Sequence, residues 1–264
     1  MERQLNRIQI AVPYADLVEL YLDLILKNHV HPEIGLSAQA LDRFTLEDFA
    51  GVARKLEDTG LHTTIHAPFT DLCPASEDPL IRDASRRRIF QVLELIEVFR
   101  PRSIVAHLGF EPRLHLEEME AWVERWTGFW EECSPILATY GVPLMIENVF
   151  EWDPEVFERI FAVLPSPLLK FCFDTGHCLA FSHASWEEWV GRLHTRLGQL
   201  HIHDNLGGFD EHRAVGEGSF PFHAFFQDLA QRGLRPIVTL EAHKEEWVWT
   251  SLRNLAVIWP WEEV

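Results

Sequence analysis

The chemically suggestive residues of this 264-residue chain are histidines and carboxylates standing directly after apolar runs. Phe171-Cys172-Phe173 leads into Asp174, then Thr175-Gly176 and His177. The run reads as a buried strand and Gly176 as a tight turn, while Asp174 and His177 fit core packing poorly. The same ending recurs at His66, at His107, and at Glu147 followed by Asn148. It recurs again at His201 and His203 before Asp204, and at Glu241 before His243, with Asp210 and His212 in the intervening loop. Imidazole and carboxylate together suit Zn2+, Mn2+, Fe2+ or Co2+. Several carboxylates buried in one pocket repel one another unless cations offset the charge. A single strand-end His or Asp is more often a cap or a satisfied core group, but that explanation must then hold separately at strand after strand. His29, His31, His62, His115, His183, His194 and His223 read as non-ligands.

The elements that must position these residues alternate. Strands are expected at Ile8–Val12, Val30–Leu36, Leu61–His66, Ser103–His107, Leu144–Asn148, Phe171–Asp174, Gln199–His203 and Ile237–Ala242. Stretches of helical period separate them, at about Asp16–Lys27, after Thr45, Leu80–Phe99, Leu116–Tyr140 (with a possible break near Pro135), Pro154–Val163, Trp186–Leu197, Pro221–Arg232 and Glu245–Ile258. Thr45 is the expected N-cap of its helix with Asp48 at the capping-box position, and Ser185 caps the helix from Trp186. Apolar strands separated by amphipathic helices imply a parallel sheet covered by helices. Eight such units predict an α/β fold of the (β/α)8 TIM-barrel type, one domain over residues 1–264. An open doubly wound sheet would carry a Gly-rich dinucleotide fingerprint, and none is present. In a barrel, all C-terminal strand ends face one pocket.

Composition narrows the partners. Net charge is −18, from 41 acidic residues against 23 Lys plus Arg. Duplex nucleic acid is usually met by a basic face, so the balance disfavours it. No apolar run approaches the length that spans a bilayer, and Met1 to Asn6 lacks a leader pattern. Cys73, Cys133, Cys172 and Cys178 form no Cys-x-x-Cys pair and read as reduced thiols of a cytoplasmic protein. Nothing in the sequence indicates an oligomeric state.

The chain resembles the xylose-isomerase-like TIM-barrel superfamily, which includes endonuclease IV and the ketose epimerases. The matching segments are Ile65-His66-Ala67, Ala106-His107-Leu108-Gly109, Ile146-Glu147-Asn148, Phe173-Asp174-Thr175-Gly176-His177, Leu200-His201-Ile202-His203-Asp204, Asp210-Glu211-His212 before Gly216-Glu217-Gly218, and Leu240-Glu241-Ala242. Each is weak alone; their order and number are specific. By the endonuclease IV pattern, His66, His107 and Glu147 would share one ion. Glu147 would bridge to a second, held with Asp174, a strand-seven histidine and Glu241, while His177, Asp210 and His212 would hold a third. The family's His-x-x-Asp spacing selects His201, although some epimerases use the second histidine of a His-x-His. His203 is then a substrate contact or lies behind the ligands, the latter a reading that His243 shares, and Phe69 is positioned to stack on a substrate ring.

Two chemistries follow. About two to three divalent ions per chain could activate water for phosphoester hydrolysis, the endonuclease IV route. Alternatively one ion polarises a sugar carbonyl while Glu147 and Glu241 move a proton, the epimerase route. The acidic balance, and a His31-Pro32-Glu33-Ile34-Gly35-Leu36 segment similar to the sugar-enzyme branch, favour a metal-dependent isomerase or epimerase of a small sugar or sugar phosphate. The alternatives are a zinc phosphodiesterase acting on abasic DNA or another phosphoester, and a non-catalytic metal-binding relative.

Overall fold

Residues 8–261 are described by a computed structural model; the segment Met1 to Asn6, read above as lacking a leader pattern, lies outside them. Its strands are β1 (Ile8–Pro13), β2 (His31–Gly35), β3 (Thr64–His66), β4 (Ile104–His107), β5 (Leu144–Glu147), β6 (Leu169–Asp174), β7 (Leu197–Ile202) and β8 (Ile237–Leu240). Each pairs in parallel with its sequence neighbours, and β8 pairs with β1, so the sheet closes as a barrel. No helix among the described residues is long and apolar enough to cross a membrane.

The strands divide their side chains by the period of two. Ile34, Ile65, Ile104, Ile146, Phe171, Leu200 and Val238 join the main core between sheet and helices. The residues alternating with them face inward. Val105, Met145 and Cys172 form a small apolar plug on one side of the interior. On the other side Gln9, Glu33, Thr64, Gln199 and Thr239 form a buried polar layer. Trp122, Trp126, Trp189, Phe157 and Phe225 fill the space behind the strands. Burying each such ring contributes about 1.5–3 kcal/mol.

Local signals set most helix starts. Thr45 and Asp48 form the expected capping box, and Ser185 accepts from Glu188 N. Several expectations are corrected. The helix Met119–Tyr140 is continuous through Pro135, because the missing N–H costs one hydrogen bond in a helix anchored by five buried aromatic and Met side chains including Trp122, Trp126 and Phe129. The stretch from Leu80 divides into helices Pro79–Leu93 and Ile96–Phe99. The first helical stretch contains a π-turn at Leu17–Tyr21, and a short helix Ala38–Arg43, capped by Ser37, was not signalled. β3 begins only at Thr64, and β7 ends at Ile202, one residue before His203.

The largest correction concerns Gly176. It does not make a turn: Thr175–Phe181 is a helix, with Asp174 as its N-cap accepting from His177 N at 2.6 Å. The glycine is required by proximity, since a Cβ there would lie 1.9 Å from His203 Cε1.

Candidate metal centre

The nine candidate ligands singled out from the sequence meet at the C-terminal mouth of the barrel. His66 closes β3, His107 closes β4, Glu147 closes β5 and Asp174 closes β6. His201 lies in β7, Glu241 directly follows β8, and His177 sits in the first turn of the helix after β6. Asp210 and His212 arrive on the loop after β7. That loop is organised by Asp204, whose carboxylate accepts from the backbone N–H groups of Asn205, Gly216, Gly218 and Phe220. Gly218 has no alternative there: a Cβ would come within 2.3 Å of Asn205 O and of Asp204 Oδ1. Asp204 is therefore the fastener of the loop that carries Asp210 and His212.

Distances within the cluster are short. Glu147 Oε2 is 3.2 Å from His66 Nε2 and 3.4 Å from His107 Nε2. Glu147 Oε1 is 3.2 Å from both His177 Nδ1 and His201 Nδ1. His201 Nδ1 is also 3.1 Å from Glu241 Oε1. Asp210 Oδ2 is 3.3 Å from His177 Nε2 and 3.1 Å from His212 Nε2. Asp174 is met by His203, whose Nε2 is 3.1 Å from each of its oxygens. Its backbone is pinned by Asn148, which donates to Asp174 O and accepts from Asp174 N.

The donor set fits divalent cations on two observations. The first is tautomeric. His66 Nδ1 faces Ala67 O at 2.8 Å, His177 Nδ1 faces Asn148 O at 3.0 Å and His212 Nδ1 faces Glu241 O at 3.3 Å. A carbonyl only accepts, so each Nδ1 carries the hydrogen and the neutral ring presents a bare Nε2 lone pair. Those lone pairs point at carboxylate oxygens. Two facing lone pairs repel unless a cation lies between them or the ring takes a second proton. An outer nitrogen fixed by a carbonyl, with the inner one free, is the arrangement that ligating histidines adopt. The second observation is that Glu147 Oε1, His201 Nδ1 and Asp210 Oδ1 are buried without any aligned hydrogen bond. Such atoms are costly unless something else satisfies them.

The electrostatics point the same way. Burial opposes charge on every ring, and at His107 it wins, lowering the pKa to about 4. At His177 burial is outweighed by Asp174, Asp210 and Glu147, and the ring is held well above the ordinary value. His201 is likewise raised against burial, by Cys172 and Glu147 together with Glu33 and Glu241. Burial alone would raise Glu147, but His201 and His107 hold it well below the carboxylate range. The pocket attracts positive charge, and no Lys or Arg among the described residues forms an ion pair with Glu33, Glu147, Asp174, Asp210 or Glu241.

Some placements differ from expectation. His203 is fully buried, beneath the ring of His212, so it does not line the open pocket as a substrate contact would. The endonuclease IV pattern assigns Asp174 and His177 to different ions, yet His177 Nδ1 lies 3.5 Å from Asp174 Oδ1, while His177 Nε2 turns to Asp210 and Asp174 also meets His203. Phe69 is half exposed and stacks on His107, with centroids 4.4 Å apart. Sequence reasoning missed Glu33 as a member of the site. It is fully buried in β2 with Oε1 2.9 Å from His201 Nε2. Its signal was a charged residue on the inward period of a short apolar strand.

A family model described as xylose isomerase-like TIM barrel matches residues 30–258. The chain belongs to that family, whose barrel it displays. Among curated proteins it is 28% identical over 184 residues to the uncharacterized protein MJ1311 of Methanocaldococcus jannaschii; the match covers 67% of this chain and 63% of that protein. Among solved structures it superposes on a zinc-chloride-soaked protein, TTHB071, from Thermus thermophilus, with TM-score 0.81 and 23% identity over 96% of this chain and 97% of that one. A D-tagatose 3-epimerase-like protein superposes with TM-score 0.79 and 22% identity over the same shares. At these identities the superpositions establish the fold.

Proposed function

We propose that this protein is a metal-dependent isomerase or epimerase of a small sugar or sugar phosphate, with residues 1–264 acting as one barrel domain in the cytoplasm. The observation that carries this reading is the convergence of Glu147 and Glu241 on one atom, His201 Nδ1, at 3.2 and 3.1 Å. Two carboxylates from β5 and β8 thereby face the same small volume from different walls of the barrel. His66, His107, Glu147, Asp174, His177, His201, Asp210, His212 and Glu241 would hold zinc, or manganese, iron or cobalt, at about two to three ions per chain. When bound, such an ion supplies polarisation of a sugar carbonyl and its neighbouring hydroxyl. Glu147 and Glu241 supply the proton traffic: one takes the proton from the carbon next to the carbonyl, and the other returns one. Phe69 offers an apolar face to the sugar ring above His107. The epimerase-like neighbour and the zinc-soaked neighbour lend support to this substrate class and this metal.

A second reading, phosphoester hydrolysis of the endonuclease IV kind, is favoured by one observation: candidates for every ligand position of that pattern meet in one pocket. The net charge of −18, and the lack among the described residues of Lys or Arg paired with these carboxylates, weigh against a DNA substrate.

The test combines metal analysis of the purified protein with assays on a panel of ketoses and their phosphates and, separately, on abasic duplex DNA. Ketose interconversion should appear, and Glu147→Gln or Glu241→Gln should each lower it by about a hundredfold or more. Nicking of the DNA without sugar turnover would overturn the isomerase reading. A protein without bound or bindable transition metal would overturn both.

A further inference from the structure

His203 poses a specific question. His203 groups with His177, Asp210 and His212 compactly enough to surround one ion, and the Nε2 atoms of the three rings lie 3.1 to 3.6 Å from oxygens of Asp210. Four protein donors would close a four-coordinate site and make it structural. The ring geometry argues against that. His203 and His212 are stacked, with planes 5° apart and centroids 3.8 Å apart. An imidazole lone pair lies in the ring plane, at about 2.0–2.1 Å from a bound zinc. Two parallel stacked rings send their lone pairs along parallel planes, so one ion cannot lie in both. His243 extends the stack on the other side of His212, at 3.9 Å and 14°.

We propose that His203 is a positioning residue that ties Asp174 to His212, and is neither a ligand nor a substrate contact. The inference rests on the metal-centre reading above. Three features define the role. Its Nε2 is 3.1 Å from both oxygens of Asp174, so a hydrogen there is donated to that carboxylate and fixes its rotation. Its face supports the ring of His212, whose own backbone sits in the left-handed region at φ 50° and so lacks intrinsic preference for this position. Its ring packs against Gly176, where any Cβ would overlap it, and its backbone is held by Thr175 Oγ1, which donates to His203 O at 2.9 Å. One buried side chain thus couples a carboxylate on β6 to a histidine on the loop after β7. The set at Asp210 is left with His177, Asp210 and His212 as donors and an open position.

The test separates the donor from the ring. His203→Gln keeps an N–H donor for Asp174; His203→Phe keeps a stacked ring and loses the donor. Metal-free wild type and variants are titrated with Zn2+ against a competing chelator, with thermal melts of each metal-free protein recorded alongside. Wild type should bind Zn2+. His203→Phe should weaken at least one site about ten- to a hundredfold, the effect of removing a group that orients a ligand, and His203→Gln should stay within a few-fold of wild type. Equal losses in both variants at unchanged melting temperature would make His203 a ligand and overturn the proposal. Wild-type binding by His203→Phe would also overturn it. If His203→Phe fails to fold, Gly176→Ala decides: its backbone is not left-handed, so only the collision with the His203 ring acts, and Zn2+ binding should weaken as for His203→Phe. Unchanged binding there would overturn the proposal. A wild type that binds no Zn2+ would remove the metal-centre reading itself, and this inference with it.

Discussion

Glu33 Oε1 lies 2.9 Å from His201 Nε2, with both side chains fully buried. The opposite ring nitrogen, Nδ1, faces Glu147 and Glu241. Burial alone would raise the Glu33 pKa, but His201, His66 and Thr64 hold it below the ordinary carboxylate value. Its other oxygen accepts from Thr64 Oγ1 at 2.7 Å and from Gln199 Nε2. A carboxylate close behind a histidine ring raises its basicity. Glu33→Gln should therefore lower divalent-metal affinity about ten- to a hundredfold, measured by chelator competition. Glu33→Ala should in addition destabilise the metal-free fold by about 3–5 kcal/mol in urea unfolding, since it leaves buried partners unpaired. Wild-type metal affinity in Glu33→Gln would show that His201 needs no such support.

The contrast between His201 and Glu33 shows what the sequence can reveal. His201 was legible because it ends an apolar run and precedes His203 and Asp204, and parallel-barrel geometry sends such ends to one pocket. The alternation of strands and helices was legible for the same reason: burial on both sheet faces imposes long apolar runs. Glu33 follows Pro32 in a short strand, and no local pattern says that its partner lies on β7. The pairing is created only when the barrel closes. Gly176 failed differently. A glycine two residues past a strand-end aspartate reads as a turn, yet here it clears space for the ring of His203, which is remote in sequence.

Glu151 offers a prediction about pH. It is 2% exposed, and its Oε2 accepts from Val149 N at 2.7 Å. Burial raises its pKa from 4.5 to about 8, against the opposing effect of that N–H. The folded protein therefore holds a proton that the unfolded chain releases near pH 4.5. Where the folded state binds more protons, stability falls as pH rises. The contribution is complete below about pH 4.5 and is lost up to about pH 8, to an extent of a few kcal/mol at most. Glu151→Gln keeps an acceptor for Val149 N without the ionisation. It should be close to neutral at about pH 5 and should stabilise the metal-free protein at about pH 8 to 9. Parallel stability curves for the two proteins across this range would show that Glu151 does not titrate in this way.

The loop after β7 is the part of the site least supported by regular structure, so its fastening can be tested apart from the rest. Asp204 accepts four backbone N–H groups, at 2.9 to 3.1 Å, and pairs through its backbone with Arg213. Removing the Asp204 side chain takes the shared acceptor from all four donors at once. Asp204→Ala should cost about 2–4 kcal/mol of stability, because charge-assisted acceptors are lost and buried N–H groups are left unpaired. The consequence for the site should be one-sided. Asp210 and His212 hang on this loop, whereas His66, His107 and Glu147 close strands on the far side of the barrel. Asp204→Asn, which keeps part of the acceptor capacity at reduced charge, should fall between wild type and Ala. Titration of metal-free Asp204→Ala with Zn2+ should then show loss of the binding that depends on Asp210 while the remainder persists. Uniform loss of all binding, in a variant whose secondary structure is intact, would mean that the two sides of the pocket are one cooperative unit and not separately anchored sets.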